Sequence, residues 1–82
     1  MPSVSTKVCD NFAAAPGSGM NWIDPPVGCT INAASNSPWP FNVGPPIKLP
    51  SPATVMIKPY LQPGTYYFQP SCCKSQVSVK VT

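Results

Sequence analysis

Residues 64–73 read GTYYFQPSCC, and this stretch decides the fold prediction. Pro63 and Gly64 are a turn signal, and they deliver the chain into an aromatic segment of strand-forming residues that ends in two adjacent cysteines. In a strand, Tyr66 and Phe68 share one face, because successive side chains alternate between the two faces. The stretch therefore predicts a core strand with two candidate disulfide partners at its end.

Short segments with the same alternation recur along the rest of the chain. Thirteen prolines exclude long helices, because a proline in a helix interior costs about 3 kcal/mol. The last segment, QVSVKVT at 76–82, would bury Val77, Val79 and Val81 and leave Lys80 in water. We predict an all-β sandwich of six or seven short strands in one domain, residues 1–82. The other strand segments are 4–8, 20–23, 29–32, 46–49 and 53–58, and only FAAAP at 12–16 could hold a turn of helix.

The chain is short and weakly charged. A core built from 82 residues rarely supplies more than about 3 to 5 kcal/mol, so disulfides, a metal or association are expected to add stability. Charged residues make up 9% of the chain, against a usual share of about a quarter. Such a surface does little to keep molecules apart, and it suits contact with other protein chains, either copies of itself or a larger assembly.

Charge pattern and hydropathy exclude several partners. The net charge of +3 comes from single, scattered lysines without any arginine, whereas nucleic-acid binding needs a clustered basic patch. No apolar run approaches the roughly 18 residues of a membrane span.

The first residues, MPSVSTKVCD, lack the basic start and apolar stretch of a signal peptide. We therefore expect either a signal that was removed or a protein made in a cytoplasm and used elsewhere.

The four cysteines, Cys9, Cys29, Cys72 and Cys73, predict two disulfides, for which three pairings exist. A bond between Cys72 and Cys73 is disfavoured, because neighbouring Cα atoms lie about 3.8 Å apart and disulfides prefer about 4.4 to 6.8 Å. Alternate residues of a strand share a face, so Cys72 would lie on the same face as Phe68 unless a bulge intervenes. We predict that Cys29 bonds to Cys72 across the sandwich and that Cys9 bonds to Cys73 at its edge.

These bridges would add stability and indicate where the protein works. Chain entropy alone gives each bridge about 4 kcal/mol, because each closes a long loop. Disulfides indicate an oxidising destination: outside the cell, in a periplasm or on a released particle. A zinc or iron–sulfur site and free thiols are the alternatives. Structural zinc is bound by paired C-x2-C knuckles, whereas consecutive cysteines here are 20, 43 and 1 residues apart, so we predict no metal and no cofactor.

Groups that perform catalysis are scarce. The chain has no histidine, which removes the usual general base and the commonest metal ligand. Asp10 and Asp24 are the only acidic residues, and a hydrolase with two carboxylates would need them to meet by chance. The five glycines are isolated turn residues and form no phosphate loop. We predict no catalytic residues and no enzyme activity.

Three aromatic residues are candidates for contact with a ligand or partner. Trp39 and Phe41 lie between prolines in a long loop, SPWPF at 37–41, and Trp22 lies in another loop. Exposed, they would form a platform for a glycan or a protein. Folded back, they would cap an undersized core, which is the interpretation that we favour over the platform.

The segment GTYYF at 64–68 resembles the penultimate strand of cupredoxins, the plastocyanin-like Greek-key β-sandwiches in which a Gly-Thr-Tyr-x-Phe strand leads to the copper-binding residues. The resemblance covers residues 53–73 and implies a Greek-key sandwich. It does not extend to the copper site: the family's cysteine position is taken by Pro70, and no histidine is present to complete a His2Cys plane with Met20 or Met56. An immunoglobulin-like sandwich with a bridge between its sheets also fits.

Three functional hypotheses follow from these features. The leading one is a non-enzymatic structural or decorating subunit that acts by protein–protein contact in an extracellular assembly, such as a capsid cement protein, a spike or an appendage component. The second is a secreted or cell-surface module that binds a glycan or a protein through its loop aromatics. The third is a copper-less cupredoxin relative with a redox-active or metal-binding set of cysteines.

Overall fold

The computed structural model describes residues 3–49 and 55–82. Over these residues the fold is a small β-sandwich with eight short strands and no helix. The strands are β1 (Ser3–Thr6), β2 (Phe12–Ala14), β3 (Gly19–Trp22), β4 (Thr30–Ala33), β5 (Ile47–Lys48), β6 (Val55–Met56), β7 (Gly64–Pro70) and β8 (Val77–Val81). Two disulfides fasten it, so the prediction of an all-β, disulfide-stapled sandwich is confirmed.

The strands form two sheets of unequal size. The first sheet has the order β1-β3-β6, and the second has the order β2-β8-β7-β4-β5. Two pairs are parallel, β1 with β3 and β2 with β8, and the others are antiparallel. Consecutive strands β1 and β2 belong to different sheets, so the connection at residues 7–11 passes from one sheet to the other.

The segment at 12–16 is the one place where the sequence allowed a turn of helix, and it holds a strand. Phe12–Ala14 is a strand, not a turn of helix, and it pairs with β8 in the register Phe12 to Val79 and Ala14 to Val81. The amide of Thr82 also donates to the carbonyl of Ala14 at 3.2 Å. Hydrogen bonding to a neighbouring strand thus outweighs the weak local preference of three alanines for helix.

Other predicted segments are strands with shifted ends. The strand expected at 53–58 contains β6, and its residues 53 and 54 lie outside the described ranges. Beyond β6, Ile57 forms a single bridge with Phe41. The side-chain oxygen of Asn42 accepts a hydrogen bond from the amide of Met56 at 2.9 Å. The long connection between β4 and β5 is therefore fastened to the first sheet.

The core follows the alternation predicted for the last two strands. Val77, Val79 and Val81 are buried and Lys80 is exposed, while Phe68 is buried and Tyr66 packs against the core from a half-buried position. These side chains come from β7 and β8, the central pair of the second sheet.

Strand directions define two ends of the sandwich. Strands β1 and β3 finish together, and β7 finishes where β4 and β8 begin. The connections at 7–11, 23–29 and 71–76 therefore lie at one end, which we call the disulfide end. The connections at 15–18, 34–46 and 57–63 lie at the other, which we call the opposite end.

Candidate contact surface at the disulfide end

All four cysteines are paired, in the combination expected from the sequence. Cys9 is bonded to Cys73 with 5.7 Å between Cα atoms, and Cys29 is bonded to Cys72 with 5.4 Å. Both bridges lie at the disulfide end. A protein that keeps two such bonds belongs in a non-reducing environment.

The position of the Cys29–Cys72 bridge differs from the prediction. It joins the start of β4 to the end of β7, which are neighbouring strands of the same sheet, and does not cross the sandwich. The alternation of faces does not continue to Cys72, because β7 ends at Pro70 and the chain then turns. In this turn the amide of Cys73 donates to the carbonyl of Pro70 at 3.2 Å. As a result Cys72 is exposed, and Cys73 is the one that packs against the core.

The other bridge ties the two sheets together. Cys9 lies in the connection that leads from the first sheet to the second, and Cys73 lies in the turn between β7 and β8. This bond therefore holds the connection between β1 and β2 to the β7–β8 hairpin of the second sheet. The role of linking the two sheets, predicted for Cys29–Cys72, thus belongs to Cys9–Cys73.

The two bridges are also close to each other. The Sγ atoms of Cys9, Cys72 and Cys73 all lie within 4.8 Å of one another. Sequence reasoning missed this cluster, although adjacent cysteines with different partners must bring two bridges together. As disulfides these sulfurs are not thiolates, the form in which cysteine binds a metal ion.

A shallow cleft of about 400 Å³ opens beside Cys9. Both acidic residues of the chain, Asp10 and Asp24, line it, and both are exposed. The two acidic residues therefore share one cleft, which the sequence alone did not predict. The complete lining is Lys7, Val8, Cys9, Asp10, Ile23, Asp24 and Pro26.

Apolar side chains project next to the cleft. Val27 is 94% exposed and Ile23 is 43% exposed, and both belong to the connection between β3 and β4. The shape of this connection is set by its backbone: Asp24 has a φ of 44° and Gly28 a φ of 86°, and the amide of Cys29 donates to the carbonyl of Pro26 at 3.2 Å. Val27 thus lies within a tight turn that the buried Cys29 anchors.

One large apolar side chain projects at the opposite end. Tyr60 is 93% exposed, in the connection between β6 and β7. Nearby, the hydroxyl of Tyr66 donates to the carbonyl of Gln62 at 2.7 Å. Tyr60 is as exposed as Val27, but it lies at the end away from the disulfides.

Two of the three candidate aromatics are buried, so they are not exposed as a platform. Trp22 is 7% exposed and Phe41 is fully buried, because both fill the core. Trp39 is half-buried, and its Nε1 donates to the carbonyl of Val43 at 2.6 Å. These positions agree with the favoured interpretation, in which the aromatics complete a small core.

Comparison with protein-family models, curated proteins and solved structures finds no match. The described ranges contain no helix of the length and apolar character that a membrane crossing requires.

Proposed function

We propose that this protein is a non-enzymatic structural or decorating subunit that acts by protein–protein contact in an extracellular assembly, such as a capsid, a spike or an appendage. The observation that carries the proposal is the exposure of Val27, with Ile23 and Pro26 beside it, on a turn that a disulfide anchors. We call these three residues the apolar turn.

The apolar turn has the features of a preorganised contact. Side chains that are already held in place lose little conformational entropy on binding, which raises affinity for a given area. Here Gly28 and the Pro26–Cys29 hydrogen bond hold the backbone, and the Cys29–Cys72 bridge holds the turn to β7. An apolar centre with charged residues at its margin, such as Lys7, Asp10 and Asp24, is the usual anatomy of a protein interface.

The same cleft offers little to catalysis. Asp10 and Asp24 are exposed, whereas enzymes tune a catalytic carboxyl by burying it or by surrounding it with other groups. Without histidine in the chain, no side chain of the usual general-base type faces them. We assign the two carboxylates to the polar margin of the contact surface.

The disulfides support the placing of this contact outside a reducing compartment. Bridges that involve exposed Cys9 and Cys72 would be reduced by cytosolic thiols. An extracellular space, a periplasm or a released particle is compatible with them, and an assembly in one of these places is the proposed setting.

Lysine labelling on the natural source tests the proposal. Lys7 lines the cleft, and Lys80 projects from β8 on an exposed face, so the two report on different surfaces. We expect Lys7 to be protected from acylation in the intact source material and to become reactive after purification, while Lys80 serves as the internal comparison. Equal reactivity of Lys7 in both states, together with a purely monomeric chain at high concentration, would refute the proposal.

A further inference from the structure

Four sulfur atoms at the disulfide end form one group. The Sγ atoms of Cys9, Cys72 and Cys73 lie within 4.8 Å of one another, and Cys29 is bonded to Cys72. Cys9 and Cys72 are exposed, whereas Cys29 is only 2% exposed. The outer bridge, Cys9–Cys73, is thus in near contact with the inner bridge, Cys29–Cys72.

We propose that this group is a thiol–disulfide exchange centre, in which a dithiol opens the outer bridge and the inner bridge is then opened from within the protein. The substrate class is a dithiol, which supplies the two electrons. The proposal is independent of the contact function, because it rests on the sulfur positions and not on the apolar turn.

The first step reduces the outer bridge. One thiolate of the dithiol attacks a sulfur of the Cys9–Cys73 bond, and its second thiol displaces the protein from the resulting mixed disulfide. The dithiol leaves as a cyclic disulfide, oxidised by two electrons. Cys9 and Cys73 are left as thiols, each with one proton from the dithiol.

In the second step, the inner bridge is broken by a thiol of the protein itself. The Cys9 thiolate attacks Cys72 Sγ, so that a Cys9–Cys72 bond forms while the Cys29–Cys72 bond breaks. The electron pair leaves with the Cys29 sulfur, which takes up the proton that Cys9 lost. Two bridges have become one, and the chain between β1 and β2 is now tied to Cys72.

Access and proximity favour this order. Cys9 lines the cleft, which leaves room for a thiol to approach the outer bridge. In the inner bridge Cys29 is buried, so a thiol from solvent can approach that bridge only at Cys72. Within the protein, however, Cys9 Sγ lies within 4.8 Å of Cys72 Sγ, and a neighbouring group acts at an effective concentration far above that of any added reagent.

Partial reduction of the natural chain tests the proposal. The folded protein is treated with one equivalent of dithiothreitol, free thiols are alkylated, and the labelled cysteines are located by mass spectrometry. Cleavage before Asp10 and before Asp24 separates Cys9 from Cys29. We expect a population labelled at Cys29 and Cys73 but not at Cys9, which is the signature of a Cys9–Cys72 bond. If only Cys9 and Cys73 are labelled, the outer bridge opens without exchange, and the proposal is overturned. If only Cys29 and Cys72 are labelled, the inner bridge opens directly, and the proposal is overturned as well.

A variant with one unpaired thiol isolates the second step. Cys73→Ser leaves Cys9 as a thiol beside the intact inner bridge, and exchange then moves the free thiol to Cys29. We expect alkylation at both Cys9 and Cys29 after incubation, whereas label on Cys9 alone would contradict the proposal. Ser35→Cys in the otherwise natural chain is the matched control, because it adds a thiol in the connection at the opposite end, and its label should stay at position 35. If Cys73→Ser does not fold, the partial reduction of the natural chain decides the question.

Discussion

The ring of Phe41 meets the ring of Phe68 nearly edge-on, with 5.1 Å between centroids and 69° between planes. Both side chains are fully buried, although Phe41 comes from the long connection between β4 and β5. Phe41 also lies 5.6 Å from Trp22 of the first sheet, with a similar edge geometry. A connection residue therefore joins the two sheets at the centre of the core, and such aromatic contacts add about 0.5 to 1.5 kcal/mol beyond burial.

Truncation of this ring is expected to be severe. Phe41→Ala should lower the free energy of unfolding by about 3 to 5 kcal/mol, because it leaves a cavity where three aromatic rings meet. Phe41→Leu should lower it less, since part of the volume remains. Urea unfolding with the disulfides intact measures both changes. Tyr60→Ala, at a 93% exposed position, is the control and should stay within about 0.5 kcal/mol of the natural chain. A loss below that limit for Phe41→Ala would show that the ring is not part of the core.

Two glycines make a matched pair for the backbone of the apolar turn. A Cβ at Gly28 or at Gly44 would meet no atom within 4 Å, but Gly28 has a φ of 86° and Gly44 has no such left-handed value. Gly28→Ala should therefore destabilise the fold by about 1 kcal/mol through backbone strain alone. Gly44→Ala should be neutral or stabilise it by up to about 1 kcal/mol, because it reduces the entropy of the unfolded chain. Denaturant unfolding of the two variants checks the sign; equal effects would argue against the strained turn.

Substitution at the apolar turn should separate contact from stability. Val27→Ser removes an exposed apolar group, so the free energy of unfolding should change by no more than about 0.5 kcal/mol. The measurement is reassembly: purified subunits are added back to source material from which the protein has been removed. The Val27→Ser variant should be incorporated into this material less than the natural chain is. Tyr60→Ser changes an equally exposed side chain at the opposite end and should incorporate normally. Loss of incorporation in Tyr60→Ser alone would move the contact surface to that end.

The bridges should contribute similar amounts of stability. Replacing both cysteines of either bridge by alanine should lower the free energy of unfolding by about 2 to 5 kcal/mol. The sequence separations are 64 and 43, so loop entropy predicts a difference of only about 0.4 kcal/mol in favour of the Cys9–Cys73 bridge. Thermal unfolding of the two double variants measures this. A difference of several kcal/mol would mean that native contacts around one bridge, and not chain entropy, set its contribution.

Several features were predictable because they depend on local pattern. The alternation of valines in β8 identifies a strand and its buried face without any knowledge of its neighbours. The pairing of Cys72 and Cys73 with different partners follows from backbone dimensions alone. The cupredoxin resemblance at 53–73 and the single domain stay predictions, since neither the fold nor the comparisons test them.

Other features were not predictable because they depend on partners that are distant in the chain. FAAAP at 12–16 gave no signal of a strand, since Phe12–Ala14 becomes one only by hydrogen bonding to β8, more than 60 residues later. Strand parity could not locate Cys72, because the turn after Pro70 interrupts the alternation. The burial of Trp22 and Phe41 was one of two interpretations left open, because the sequence assigned both residues to loops, whereas Trp22 belongs to β3.

By itself, the sequence determined the class of fold, the need for disulfides and the lack of histidine chemistry, since these follow from composition and short-range geometry. Only the tertiary structure decided which strands each bridge joins and that the four sulfurs lie together. It also decided that Asp10, Asp24 and the apolar turn lie at the same end of the sandwich. The physical reason is that these relations are set by how the two sheets pack and by where the connections cross between them. No local pattern in the chain encodes those distances.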